Sequence, residues 1–363
     1  MAKKLLLAGY FGFDNSGDDA ILKAMVDNLK KLNKDLDLTA LSKDPEKTAK
    51  TYNIKAANRF SYKEVRREMK NTDVFVFGGG SLLQDITSSR SLYYYLFLLK
   101  MAYTFKKPVF IFANGIGPIN KAFNRRLTKK VLDKAAYITL RDQSSYNFVR
   151  ALGVKNDHIE VTADPVFLLE SSSDARVDQI LEDQNIVLSD RVLGISLRQW
   201  QKSPMLSREV AKFCDSLVEE DLDILVLPMH YPYDVEYCQQ IKTLSKNKRV
   251  HVIDSKYEVE DLIGLLKRCQ LVMAMRLHAL IYAAKANVPV IGLVYDPKLA
   301  GLINDLSIRE YIKVEDLTKE RLREKYDLAM EDLEDRAQSM FIANKRQEDL
   351  AQRTIEILEE TLL

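Results

Sequence analysis

Met275-Arg276-Leu277-His278-Ala279-Leu280 sets an arginine and a histidine two residues apart, where the apolar run Leu271 to Met275 gives way to the small, apolar residues of a packed helix. Side chains at such a junction lie at the carboxyl edge of a parallel sheet, and the helix start adds backbone N–H groups and a positive dipole end. The chemistry this suits is anion recognition joined to proton transfer. Arg276 can fork onto a carboxylate or phosphate, and His278, whose ordinary pKa is about 6.5, can pass a proton to the same ligand. A structural alternative stands beside it, in which Arg276 pairs with an acid and His278 caps the helix.

Other apolar runs of the second half end in the same manner. Ser196-Leu197-Arg198-Gln199-Trp200, Pro228-Met229-His230 and Tyr295-Asp296-Pro297-Lys298 bring Arg198, His230 and Lys298 to equivalent strand ends. Together they describe a cationic pocket for a small polyanion.

In the first half the strand ends carry glycines: Gly9-Tyr10-Phe11-Gly12-Phe13-Asp14-Asn15-Ser16-Gly17-Asp18-Asp19, Gly78-Gly79-Gly80-Ser81-Leu82-Leu83-Gln84-Asp85, and Asn114-Gly115-Ile116-Gly117-Pro118. Glycine permits tight turns and close approach of a ligand to the backbone, yet the spacing matches neither the dinucleotide fingerprint nor the Walker A loop. No nucleotide cofactor is implied. Asp18 and Asp19 make the first loop a poor cradle for phosphate and suit it to sugar hydroxyls. Asp142, after Arg141, reads as a helix N-cap, and Ala163-Asp164-Pro165 as a turn.

The elements that must position these residues alternate from one end of the chain to the other. Apolar runs at Lys4–Tyr10, Leu36–Leu41, Asp73–Phe77, Val109–Asn114, Tyr137–Leu140 and Ile159–Ala163 predict one series of strands. Val192–Leu197, Ile224–Pro228, Val250–Asp254, Leu271–Met275 and Val288–Leu293 predict a second, with amphipathic helices between. The expected fold class is α/β, two Rossmann-like doubly wound domains facing a cleft. The first spans residues 1–170, with Glu170-Ser171-Ser172-Ser173-Asp174 opening a linker over 171–190, and the second spans 191–335. The charged tail, 336–363, reads as a helix packing back on the first domain.

At 363 residues the chain exceeds one ordinary core. Its 54 basic and 52 acidic residues are interspersed, which excludes the field expected of a nucleic-acid-binding protein. Three scattered cysteines and four histidines offer no metal-ligand spacing, so no metal site is expected and a reduced, cytoplasmic setting fits. No apolar stretch has transmembrane length, and the N-terminal run reads as a first strand rather than a secretory signal. Leu92 to Leu99 followed by Lys100 reads as a core helix, although its aromatic residues, Tyr93, Tyr94 and Tyr95, also suit transient contact with the inner face of a membrane.

With these loops in order, from Gly9–Asp19 to Tyr295–Lys298, the chain resembles the polysaccharide pyruvyl transferase family, and in particular its bacterial cell-wall branch, the CsaB proteins. The resemblance implies a fold similar to that of GT-B glycosyltransferases. It implies phosphoenolpyruvate as co-substrate, with no cofactor, and N-acetylmannosamine in a lipid-diphosphate-linked disaccharide as acceptor, its 4- and 6-hydroxyls bridged by a pyruvate ketal. Carried onto this sequence, Arg276 and Leu277 belong to the donor site with His278 as acid, Arg198 is a second donor-binding arginine and Lys298 a third cation. Asn15, Asp18, Gly79, Gly80, Ser81 and Asp85 fall on the acceptor side, with Asp18 and Asp85 both candidates for the base. A nucleotide-sugar glycosyltransferase and a non-catalytic sugar or lipid-diphosphate binding module are the competing readings.

Overall fold

The computed structural model describes residues 2–32, 34–86, 88–200, 205–295 and 297–363. The chain forms two compact units, Met1–Leu168 with Gln347–Leu363, and Leu169–Arg346.

In the first unit the elements run β1 (Lys3–Phe11), α1 (Ser16–Lys31), β2 (Leu36–Ser42), α2 (Pro45–Tyr52), β3 (Lys55–Asn58), α3 (Tyr62–Asn71), β4 (Val74–Gly78), α4 (Ser89–Thr104), β5 (Val109–Asn114), α5 (Ala122–Leu132), β6 (Tyr137–Leu140), α6 (Gln143–Ala151) and β7 (Ile159–Val161). All pairings are parallel, in the order β3-β2-β1-β4-β5-β6-β7. Every residue of β4 and β5 is buried, so both sheet faces are covered.

The second unit holds α7 (Asp174–Asp183), β8 (Val192–Ser196), α8 (Met205–Asp215), β9 (Asp223–Val226), α9 (Tyr233–Leu244), β10 (Val250–Val252), α10 (Val259–Lys267), β11 (Leu271–Ala274), α11 (Leu277–Lys285), β12 (Val290–Val294), α12 (Pro297–Asp305), β13 (Glu310–Lys313), α13 (Lys319–Glu331) and the first part of α14 (Leu333–Leu362). Its sheet is also wholly parallel, in the order β10-β9-β8-β11-β12-β13. From Gln347 onward α14 belongs to the first unit, where Thr354 Oγ1 lies 2.8 Å from Thr162 Oγ1 and Arg353 pairs with Glu160.

Residues 171–190, expected as a linker, instead contain α7. Ser173 caps that helix, and Val177, Ile180 and Leu181 bury its apolar face within the second unit. Burial of those three side chains outweighs the polar character of the preceding serines. The crossing falls earlier, between Leu168 and Leu169.

Strand order fixes where a ligand can sit. In each sheet it reverses at one place, between β1 and β4 in the first and between β8 and β11 in the second. Loops leaving neighbouring strands at such a point diverge to opposite faces and open a crevice at the carboxyl edge. The glycine loops leave β1 and β4, whereas Arg198 and the Arg276–His278 segment leave β8 and β11.

Candidate functional site

In the second unit Arg276 occupies the N-cap of α11 in extended backbone, with no side-chain capping bond. Its Nη2 donates to Asp234 Oδ1 at 2.6 Å, and the Asp234 side chain is only 4% exposed. Asp234 Oδ2 accepts from the backbone N–H groups of His230 at 2.9 Å and Met229 at 3.2 Å. One carboxylate therefore fixes both the guanidinium and the loop that carries His230. The acid partner foreseen by the structural alternative exists, but it takes one edge of the fork. Arg276 Nε is buried with no hydrogen-bond partner. A buried guanidinium N–H in that state is a donor awaiting an acceptor.

His278 lies in the first turn of α11, where backbone N–H groups have no intrahelical acceptor. Its ring centroid is 6.2 Å from that of Tyr282. Arg198, beyond the end of β8, places its guanidinium 5.5 Å from the ring centre of Tyr295, which is itself 4.9 Å from the Trp200 ring. Arg198 Nε is likewise buried without a partner. Lys298 falls in α12, but its side chain lies outside the described residues, as does Asp296.

In the first unit Asn15 caps α1, accepting from Gly17 N, and its Nδ2 donates to Asp18 Oδ2 at 2.6 Å. Burial, reinforced by Asp19 and Asp164 and opposed by Arg141 and Arg59, pushes the Asp18 carboxyl up to about 8. Gly79 and Gly80 both have left-handed backbone, at φ +76° and +72°. A Cβ on Gly79 would stand 2.0 Å from Ile21 Cγ2, and one on Gly80 would stand 3.2 Å from Asp18 Oδ1. The glycines thus let this loop lie directly on α1 beside the Asp18 carboxyl. Ser81 Oγ accepts from Arg141 Nη2 at 2.9 Å, and Arg141 Nη1 donates to Asp164 Oδ2 at 3.1 Å. A buried arginine so ties the β4, β6 and β7 loops together.

Asp85 does something else. Its oxygens accept from Asn120 N at 2.7 Å, Lys121 N at 3.1 Å and Asn124 Nδ2 at 2.8 Å. Burial works against its charge, but these donated bonds hold the carboxyl below its usual range. Asp85, expected on the acceptor side as ligand or base, uses these bonds to fasten the start of α5. Asp142 accepts from Ser145 N at 2.7 Å as the N-cap of α6. Asp164 begins a short 3-10 turn and adds the bond to Arg141.

Two residues of evident weight escaped the sequence reading. Asp234 lies four residues beyond His230 in an ordinary acidic helix start, and only its link to Arg276 marks it. Arg59 follows β3, a strand too short and polar to be expected. It is 5% exposed, donates to Gly9 O at 2.7 Å and to Tyr95 Oη at 3.2 Å, and lies within 6 Å of the rings of Tyr10, Phe13, Phe60, Tyr94 and Tyr95.

Comparison with known proteins gives the fold and the family. Among solved structures, the UDP-GlcNAc 2-epimerase of Methanocaldococcus jannaschii is similar with a TM-score of 0.70 at 14% identity, covering 99% of this chain and 100% of that one. Anabaena HepE, solved in complex with UDP and glucose, gives a TM-score of 0.65 at 15% identity, covering 99% of each chain. At such identities the likeness establishes the fold, a GT-B-like pair of parallel-sheet domains. In sequence, the amylovoran biosynthesis protein AmsJ of Erwinia amylovora is 23% identical over 372 aligned positions, spanning 85% of this chain and 87% of AmsJ. The family model for polysaccharide pyruvyl transferases matches residues 15–297, from the Asn15 cap to the start of α12. The chain is an enzyme of the polysaccharide pyruvyl transferase family.

Proposed function

We propose that the enzyme moves pyruvate from phosphoenolpyruvate onto the 4- and 6-hydroxyls of N-acetylmannosamine in a lipid-diphosphate-linked disaccharide, as a cyclic ketal, for a secondary cell-wall polysaccharide. The observation that carries the donor assignment is Arg276, held on one edge by Asp234 and carrying a buried, unsatisfied Nε at the start of α11 beside His278. Such a group is a preorganised anion clamp in a site where a helix start adds further attraction. Arg198 supplies a second cation from the other side of the same switch point.

Phosphoenolpyruvate is an enol phosphate. Transfer of a proton from His278 to its methylene carbon forms a C–H bond and leaves C2 electron-poor, with oxocarbenium character. One sugar hydroxyl adds to C2. The second then displaces the phosphate, so two C–O bonds form while the C2–O bond to phosphate breaks. Of the two hydroxyl protons, one restores His278 and the other, taken up first by the base, leaves with inorganic phosphate. On the acceptor side Asp18 is the candidate base. A carboxyl with a pKa of about 8 is, once ionised, a stronger base than an ordinary carboxylate.

The test is incubation with phosphoenolpyruvate and a lipid-diphosphate disaccharide, following free phosphate and acceptor mass together. Ketal formation matched by phosphate release is expected. Phosphate release with an unchanged acceptor, or turnover of a UDP-sugar in its place, would overturn the proposal.

A further inference from the structure

The helix α4 has two unlike faces. Leu92, Tyr95, Leu96, Leu98 and Leu99 are buried in the first unit's core. Opposite them Arg90, Tyr93, Phe97 and Lys100, spaced three and four residues apart, are all exposed. Tyr93 is 42% and Phe97 44% exposed. Tyr94 and Tyr95, expected to share this role, are turned inward: Tyr94 Oη donates to Arg59 O at 3.0 Å, and Tyr95 is 2% exposed.

The neighbouring helix α3 extends the same surface. Tyr62, 62% exposed, lies 6.3 Å from the Phe97 ring, and Arg66 covers Phe105 at 5.6 Å. The outer face of α3 carries Lys63, Arg66 and Lys70, all exposed. Its two acids are drawn in. Glu64 is half-buried and accepts from Asn58 N at 2.9 Å, while Glu68 accepts from Arg67 Nε at 2.8 Å with 22% of its side chain exposed. In a chain of 54 basic and 52 acidic residues, this face concentrates positive charge around exposed aromatic rings.

We propose that the α3–α4 face seats the first domain on an anionic lipid bilayer. Aromatic rings with one apolar and one polar side settle at the headgroup level, and lysine and arginine around them meet anionic headgroups. The contact is interfacial, because among the described residues no helix is long and apolar enough to cross a membrane. Charge decides for lipid over a second protein copy: two such faces brought together would oppose like charges. The proposal does not depend on the acceptor assigned above, so either can fail alone.

The experiment is sedimentation of the full chain with phosphatidylcholine vesicles, with and without phosphatidylglycerol. Binding is expected only where phosphatidylglycerol is present, weakening as salt rises. The variant Lys63→Ser/Arg66→Ser should lose about fivefold in partitioning per cation removed. Tyr62→Ser/Phe97→Ser should lose binding with its unfolding midpoint unchanged, because these rings are exposed. Equal binding to both vesicle types, unchanged binding by both variants, or a dimer in sedimentation velocity that either variant dissolves would each overturn it.

Discussion

Replacing Asp234 by asparagine keeps the shape of the side chain and removes what the structure says it does. The carboxylate accepts three hydrogen bonds, one from Arg276 Nη2 at 2.6 Å and two from the backbone at His230 and Met229. An amide has one accepting oxygen. Turned toward the two backbone donors, it presents its NH2 to the guanidinium, donor against donor, and one charge-assisted bond of about 1.5–3 kcal/mol is lost. Turned the other way, it strands two buried N–H groups at about 1 kcal/mol each. Either arrangement costs about 2 kcal/mol, and water restores little at a site where the aspartate is 4% and the arginine 18% exposed. If Arg276 clamps the donor, a loss of that size in the donor-binding step lowers kcat/KM for phosphoenolpyruvate roughly 30-fold, chiefly through KM. The assay is phosphate release at saturating acceptor with phosphoenolpyruvate varied, alongside thermal unfolding to confirm a folded variant. A folded Asp234→Asn enzyme with wild-type kcat/KM would refute the reasoning, since the geometry of Arg276 would then be irrelevant to the donor.

Other substitutions probe the remaining assignments. His278→Ala should lower kcat by about 10²–10⁴-fold while calorimetry still detects phosphoenolpyruvate binding, and retained activity would remove His278 from the mechanism. The Asp18 carboxyl, raised to about 8, holds a proton in the folded state that the unfolded chain releases near pH 4, so this group makes stability fall as pH climbs from about 4 to 8. Asp18→Asn should remove that part of the slope, read as unfolding midpoint against pH, and should also remove the ascending activity limb near pH 8; identical profiles would contradict both. Gly79→Ala forces a Cβ to within 2.0 Å of Ile21 Cγ2 at φ +76° and should destabilise by about 2–4 kcal/mol in urea unfolding, whereas a neutral result would show that the loop yields.

How much of this was legible in the sequence follows from which interactions are local. The strands at Val109–Asn114 and Tyr137–Leu140 were read with their observed bounds, because interior parallel strands with buried faces leave continuous apolar runs. Lys55–Asn58 and Glu310–Lys313 left no such trace, being short and polar at the outer edges of their sheets, and Arg59 was hidden with the first of them. The anchoring of Asp85 was hidden for a related reason. The residue follows a glycine loop at the end of β4, but its donors lie 35 to 39 residues further on, so nothing beside it announces them. Arg276 and Asp234, 42 residues apart, meet because β8 alone separates β9 from β11 in the sheet. Residue type at a strand end is a local property and could be read directly. Its partner depends on strand order, and in a doubly wound sheet that order is what converts separate strand ends into one site.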